Sequence, residues 1–192
     1  METLRLHFSG PLTFSSGDRC LFESPLGARP CVYLWTVRRA SDGVHLIHYI
    51  GEASRFAARQ REHLTRILGL DYGIFDPAAA RQGELSLLWP GFWRDKSQAA
   101  SAAALECFAA LAPTIVEYVR TLCVFVAPLD VDRRLRRHIE GSIARSLREK
   151  HPDCAALYPS DNRTGISQTL SGYRLEITSD AQIAGLDPVL ET

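Results

Sequence analysis

Lysine is nearly missing from this chain. Only Lys96 and Lys150 occur, and the other basic residues are arginines. Excess positive charge is missing too, since the formal net charge is zero. That excludes a uniformly basic nucleic-acid coat but leaves local basic patches open. Arginine is the better bidentate partner for phosphate, although GC-rich coding bias accounts for much of the preference. The five cysteines, Cys20, Cys31, Cys107, Cys123 and Cys154, are scattered and form no C-x-x-C pair. The spacing fits neither a zinc site nor a secreted disulfide framework, and points to buried thiols in a reducing compartment. The opening METLRLHFSG lacks the apolar core of a signal peptide, and no run is expected to reach transmembrane length. The expectation is a cytoplasmic protein with no membrane contact and no internal repeat.

The length and the ordinary apolar fraction suit a single domain over residues 1–192. Residues 1–29 hold short apolar patches separated by Gly, Pro and Ser, which suggests extended segments. CVYLWTV (31–37) and VHLIHYI (44–50) read as two strands of a hairpin, with Asp42-Gly43 as the turn signal. Ser54 is placed to cap a helix over 55–68, with Gly69 at its stop. Residues 70–96 break periodicity and read as an ordered insertion with a short strand at ELSLLW. Its aromatics Phe75, Trp89 and Trp93 are expected to form extra core. Residues 97–112 are alanine-rich and helical, and Pro113 opens a further turn through Tyr118. TLCVFVAPL (121–129) is a buried strand. Asp130 or Asp132 starts a helix to Lys150 with the stripe Leu135, Ile139, Ile143 and Leu147. GYRLEIT (172–178) alternates like a strand, and the remainder reads as a loose tail. The plan is α+β: a small, mainly antiparallel sheet flanked by helices. The core order is strand-strand-helix-helix-strand-helix, with strand additions at both ends.

Three groups of residues carry candidate chemistry. Tyr33 and Tyr49 share a face of the hairpin if its loop has an odd number of residues, for example Ser41, Asp42 and Gly43. Arg55, Arg59 and His63 lie four apart on one helical face, suited to phosphate, while Phe56, Leu64, Ile67 and Leu68 are expected to supply an apolar side for the core. Glu140 sits among Arg133, Arg136, Arg137 and His138, as a metal ligand beside a phosphate-binding surface or as an ordinary surface ion pair. The acidic residues that balance the charge are expected away from this surface, in the tail and the insertion.

Together these residues resemble the GIY-YIG nucleases. The second motif of that family is present as Tyr49-Ile50-Gly51, and the first as Cys31-Val32-Tyr33, keeping its tyrosine. An arginine ten residues after the second tyrosine is Arg59, a histidine one turn on is His63, and a later asparagine is Asn162. The family's metal-binding glutamate, on the helix after the third strand, corresponds to Glu140. The resemblance covers roughly 30–69 and 121–163 within a core spanning 30–163 with its insertion at 70–96, leaving 1–29 and 164–192 as peripheral extensions. It implies a metal-dependent endonuclease hydrolysing phosphodiester bonds of double-stranded DNA. Mg2+ or Mn2+ would be held by Glu140, and Arg59 would hold the phosphate. Tyr33 would stand near the attacking water, Tyr49 and His63 would orient it, and Asn162 would position Glu140 or the phosphate. Arg55, Arg136, Arg137 and Arg163 would contact nucleic acid. In this reading Gly51 turns the chain closely into the helix. Two other readings stand beside it: a catalytically inactive nucleic-acid-binding module of the same fold, and a structural protein in which these residues are core and surface.

Overall fold

The computed structural model describes residues 2–92, 97–159 and 172–192. The elements are β1 (Glu2–Thr13), β2 (Cys31–Arg38), β3 (His45–Ala53), α1 (Phe56–Leu68), β4 (Ile74–Phe75), α2 (Pro77–Gln82) and β5 (Leu87–Trp89). They continue with α3 (Gln98–Thr121), β6 (Leu122–Pro128), α4 (Arg133–Lys150), β7 (Tyr173–Ser179), β8 (Ile183–Ala184) and β9 (Val189–Glu191). The fold is mixed α+β, but its main sheet is not small. Seven strands run in the order β8-β3-β2-β6-β1-β7-β9, and β4 pairs with β5 separately. The sheet is mainly antiparallel, with parallel pairing at β1–β7 and β3–β8.

Two expectations understated this sheet. Ser9-Gly10-Pro11 breaks the apolar alternation of the N-terminal segment, yet β1 runs for 12 residues and absorbs the break as a register shift between Ser9 and Leu12. The expected loose tail holds β8 and β9, which are 2 and 3 residues long and too short for alternation to register. Pro113 does not start a new helix but lies inside the continuous α3, 24 residues long. Within it, Ser101–Thr121 is long and apolar enough to cross a membrane by length and composition, at mean hydropathy 1.4 with 22% buried. This departs from the expectation of no such run. Alanine makes the segment apolar without the bulky side chains that marked other apolar stretches. In the insertion Phe75 and Trp89 are buried, whereas Trp93 lies outside the described residues.

The sheet has a core on each face. Tyr33, Trp35, Val37, Val124 and Val126 meet Phe56 and Ile67 of α1 and Ile115 and Tyr118 of α3. Val32, Leu34, Ile47, Ile50 and Phe125 meet Ile139, Ile143 and Leu147 of α4. The α4 stripe was legible as a repeat of three and four, and its N-cap is Asp132, whose side chain accepts from Leu135 N–H.

The hairpin reaches its tyrosine geometry by an unexpected route. Arg39 N–H donates to the Val44 carbonyl, leaving residues 40–43, an even number, beyond that bond. Near the tip Thr36 pairs with Ile47, but Trp35 pairs with Tyr49 and Tyr33 with Gly51. His48 is therefore an extra residue, a β-bulge, and it supplies the odd count expected of the loop. Tyr33 and Tyr49 share a face with ring centroids 6.0 Å apart. The bulge is pinned: the His48 ring bonds the Leu157 carbonyl at 2.8 Å and the Tyr118 hydroxyl at 2.7 Å. Burial holds its pKa down to about 4, so it stays neutral.

Gly51 does not turn the chain into α1. It sits inside β3, which continues to Ala53. A Cβ there would stand 2.5 Å from Cζ of Tyr33 and 2.7 Å from Cε1 of Tyr49. Close approach of two rings, rather than turn conformation, requires glycine. Gly51→Ala is expected to cost about 1–3 kcal/mol, because the fully buried Tyr33 ring cannot move aside. The midpoint of urea unfolding measures it.

Candidate active site

β3 is paired with β2 along its length, but on its other side β8 covers only His45 and Leu46. From Tyr49 to Ala53 that edge is open among the described residues. Here α1 comes around from one face of the sheet and α4 from the other. A pocket of about 530 Å³ lies between them, lined by Tyr49 and Glu52 of β3, Arg55 and Arg59 at the start of α1, and Arg133, Arg137 and Glu140 of α4, with Glu62 at its margin. Residues from opposite faces meet because α1 and α4 both begin at this end of the sheet.

Arg59 is the central cation. Its Nη1 donates to Glu62 Oε2 at 2.5 Å, and Glu62 also pairs with Arg66 at 3.2 Å. Arg66 in turn bonds Asp71 at 3.0 Å, so a chain of charges fixes the outer side of α1. Arg55 stands at the N-cap of α1 and lines the pocket. The expected cap, Ser54, does not cap: its hydroxyl accepts from Arg136 Nη2 at 3.0 Å.

Beneath the pocket lies a second layer. Tyr33 is fully buried and shares a 2.7 Å hydrogen bond with Nε2 of His63, itself buried. Trp35 Nε1 donates to Gln60 at 2.8 Å, closing the layer. Burial, reinforced by Arg59 and Arg66, drives the His63 pKa down to about 3. Burial also raises Tyr33 well above its ordinary value, outweighing Arg59. Tyr49 is raised by burial and then by Glu140. Both phenols are therefore neutral, and a cationic neighbourhood does not make either a base. His63 does not share the surface of Arg55 and Arg59 as its spacing suggested. Its ring turns inward onto Tyr33, because an imidazole between aromatic rings fits the core as a long guanidinium does not.

Glu140 faces the pocket as expected. Its pKa rises to about 7, first from burial and then from the neighbouring Glu52, against Arg137, Arg59 and Arg133. Glu52 was not expected here. Its carboxylate accepts from Arg133 Nε at 3.0 Å and Arg136 Nε at 3.3 Å, and lies 4.0 Å from Arg137 Nε. Acidic residues thus stand in the pocket rather than in the tail and insertion alone. Arg136 is not available to nucleic acid: it is buried, tied to Glu52, Ser54 and the Val131 carbonyl. Arg137 is open to the pocket. Asn162 and Arg163 lie outside the described residues. Glu52 was visible as the residue after Gly51, but only strand register tells that an even-numbered side chain there faces α4.

Glu140 offers a divalent cation one carboxylate in the pocket. A hard cation takes carboxylate oxygen and would offset both the burial and the Glu52 repulsion that raise Glu140. Glu52 is already committed to arginines, and no group of three or more His, Cys, Asp or Glu suited to a metal occurs among the described residues. Glu140 would be the single protein ligand, as suits an ion that keeps waters and takes oxygens from a phosphate. No family model, no curated protein and no solved structure matches this chain.

Proposed function

We propose that the protein is a divalent-metal-dependent endonuclease that hydrolyses DNA phosphodiester bonds through a GIY-YIG-type site. The observation that carries this reading is convergence: Tyr49 of β3, Arg59 of α1 and Glu140 of α4 line one pocket, with further guanidiniums at its mouth. Glu140 would hold Mg2+ or Mn2+, which when bound supplies Lewis-acid stabilisation of charge at the phosphate. Arg59 binds non-bridging oxygens and stabilises the charge that grows on them. Tyr49 orients the attacking water as a neutral phenol. Tyr33 and His63 do not touch the water; their hydrogen bond and ring packing fix the floor on which Tyr49 and Arg59 rest. Arg55 and Arg137 hold flanking phosphates of a double-stranded substrate.

Burial of Tyr33 also supports the second reading, an inactive nucleic-acid-binding module with this fold. Cleavage assays on supercoiled, linear, branched and single-stranded DNA, with and without magnesium, separate the two. The nuclease reading expects magnesium-dependent nicking, and its absence on every substrate, with DNA binding retained, leaves the binding module. Arg59→Ala is expected to lower the single-turnover nicking rate about 10²-fold and to weaken DNA binding with a shallower salt dependence. Nicking and anisotropy titrations on the same protein check both effects.

A further inference from the structure

The start of α4 carries Arg133, Arg136 and Arg137: Arg133 and Arg136 donate Nε to the Glu52 carboxylate at 3.0 and 3.3 Å, and Arg137 stands 4.0 Å from it as an ion pair. They are not equivalent. The Arg136 side chain is 5% exposed and also donates to Val131 and Ser54, so the protein itself satisfies it. Arg133 and Arg137 are 66% and 51% exposed, and among the described residues neither makes a second ion pair, although the charge of each also reaches Glu140. Each approaches a nearly buried carboxylate through Nε, and both residues line the pocket. A carboxylate and a phosphodiester offer a guanidinium the same thing, two oxygens sharing one negative charge.

We propose that Glu52 is a built-in substitute for a phosphate: in the free protein its carboxylate gathers Arg133 and Arg137 at the pocket mouth, and on binding a phosphate of the ligand takes these two guanidiniums while Arg136 keeps Glu52. The exchange defines a second phosphate subsite across the pocket from Arg59. The identity of the ligand as a nucleic-acid backbone rests on the nuclease reading; the exchange itself needs only a phosphate. Glu52 works against affinity, because the incoming anion meets a carboxylate already in place. It also keeps the arginines extended, so the subsite does not form anew with each encounter.

Glu52→Gln tests this, since the amide keeps an acceptor for Arg136 and removes the competing charge. Inorganic phosphate and pyrophosphate are titrated against thermal midpoint, with sodium chloride of equal ionic strength as control. DNA binding is followed by anisotropy at several salt concentrations without magnesium. The variant is expected to bind the phosphates about tenfold tighter, because two charge-assisted contacts lose their internal competitor. Its DNA affinity should rise at every salt concentration with the slope unchanged, because the same two phosphate contacts form in both proteins. Adding Arg133→Ala and Arg137→Ala to Glu52→Gln should remove both gains. Unchanged phosphate affinity in a folded Glu52→Gln protein overturns the proposal. Should that variant not fold, Arg133→Ala/Arg137→Ala in the parental chain decides. A salt slope lower by about two supports the exchange, and an unchanged slope overturns it. Tighter phosphate binding in a protein that never nicks DNA would remove the nuclease reading and leave the exchange standing, whereas nicking without any phosphate effect would do the reverse.

Discussion

Glu140→Gln is expected to abolish magnesium-dependent nicking while making the protein more stable at alkaline pH. The substitution keeps volume and helix propensity but removes the charge that a hard cation needs from its ligand. Losing a Lewis-acid contribution of several kcal/mol lowers the rate about 10³-fold or more. DNA binding should persist or tighten, because a negative charge leaves a pocket lined with arginines. The stability effect has a definite sign. Glu140 titrates near 7 when folded, against an ordinary value of 4.5. The folded state holds its proton more tightly than the unfolded state, so the parental protein loses stability as pH rises from about 4.5 to 7. The glutamine side chain that replaces it does not titrate. The variant should match the parent below that window and exceed it above by on the order of 1–3 kcal/mol, discounted for partial solvent exposure. Denaturant unfolding at pH 4 and pH 8 measures the difference. A folded variant that nicks at the parental rate would make Glu140 an ordinary half-buried carboxylate and remove the proposed metal site.

Arg136→Met carries the largest expected stability loss. Methionine replaces the buried stem but leaves Glu52 with only its two exposed guanidiniums, beside Glu140. Removing one partner of a buried ion pair typically costs about 3–5 kcal/mol. The double variant Glu52→Gln/Arg136→Met should recover part of that loss, since no uncompensated charge remains. A double-mutant cycle by chemical denaturation gives the coupling, and additive effects would mean that Glu52 and Arg136 stabilise the edge of β3 independently.

The sequence was legible where periodicity had room to act. The β2–β3 hairpin, α1 and α4 each carry enough residues for their alternation or stripe to emerge, and Arg59 and Glu140 followed from positions on them. It was illegible where pairing is non-local. Nothing in Glu2–Thr13 says that it lies between β6 and β7, because that depends on residues more than a hundred positions away. Nothing within His63 says that its ring turns onto Tyr33 rather than outward with Arg59, since helical spacing fixes direction only to within a face. Glu52 was hidden for the same reason: its partners lie 81 and 84 positions along the chain, on a helix that reaches it around a sheet edge. The sign of the tyrosine pKa shifts turned on burial, which outweighs a nearby guanidinium once Tyr33 is fully enclosed.

The bulge at His48 separates two parts of one hairpin. On its inner side the pairing of Tyr33 with Gly51 and Trp35 with Tyr49 is set by the sheet and by the bonds from His48 to Tyr118 and Leu157. On its outer side lie only Thr36 to Arg38, their partners and the tip. Deleting His48 would restore unbroken alternation, with Leu46 and Ile47 keeping the two cores they now occupy, and would remove only the bonds to Tyr118 and Leu157. Lengthening the chain at Ser41 asks nothing of the tyrosines. The hairpin tip is therefore a natural splice point, where an epitope or a fluorophore-bearing peptide can be carried without its length being felt at the pocket.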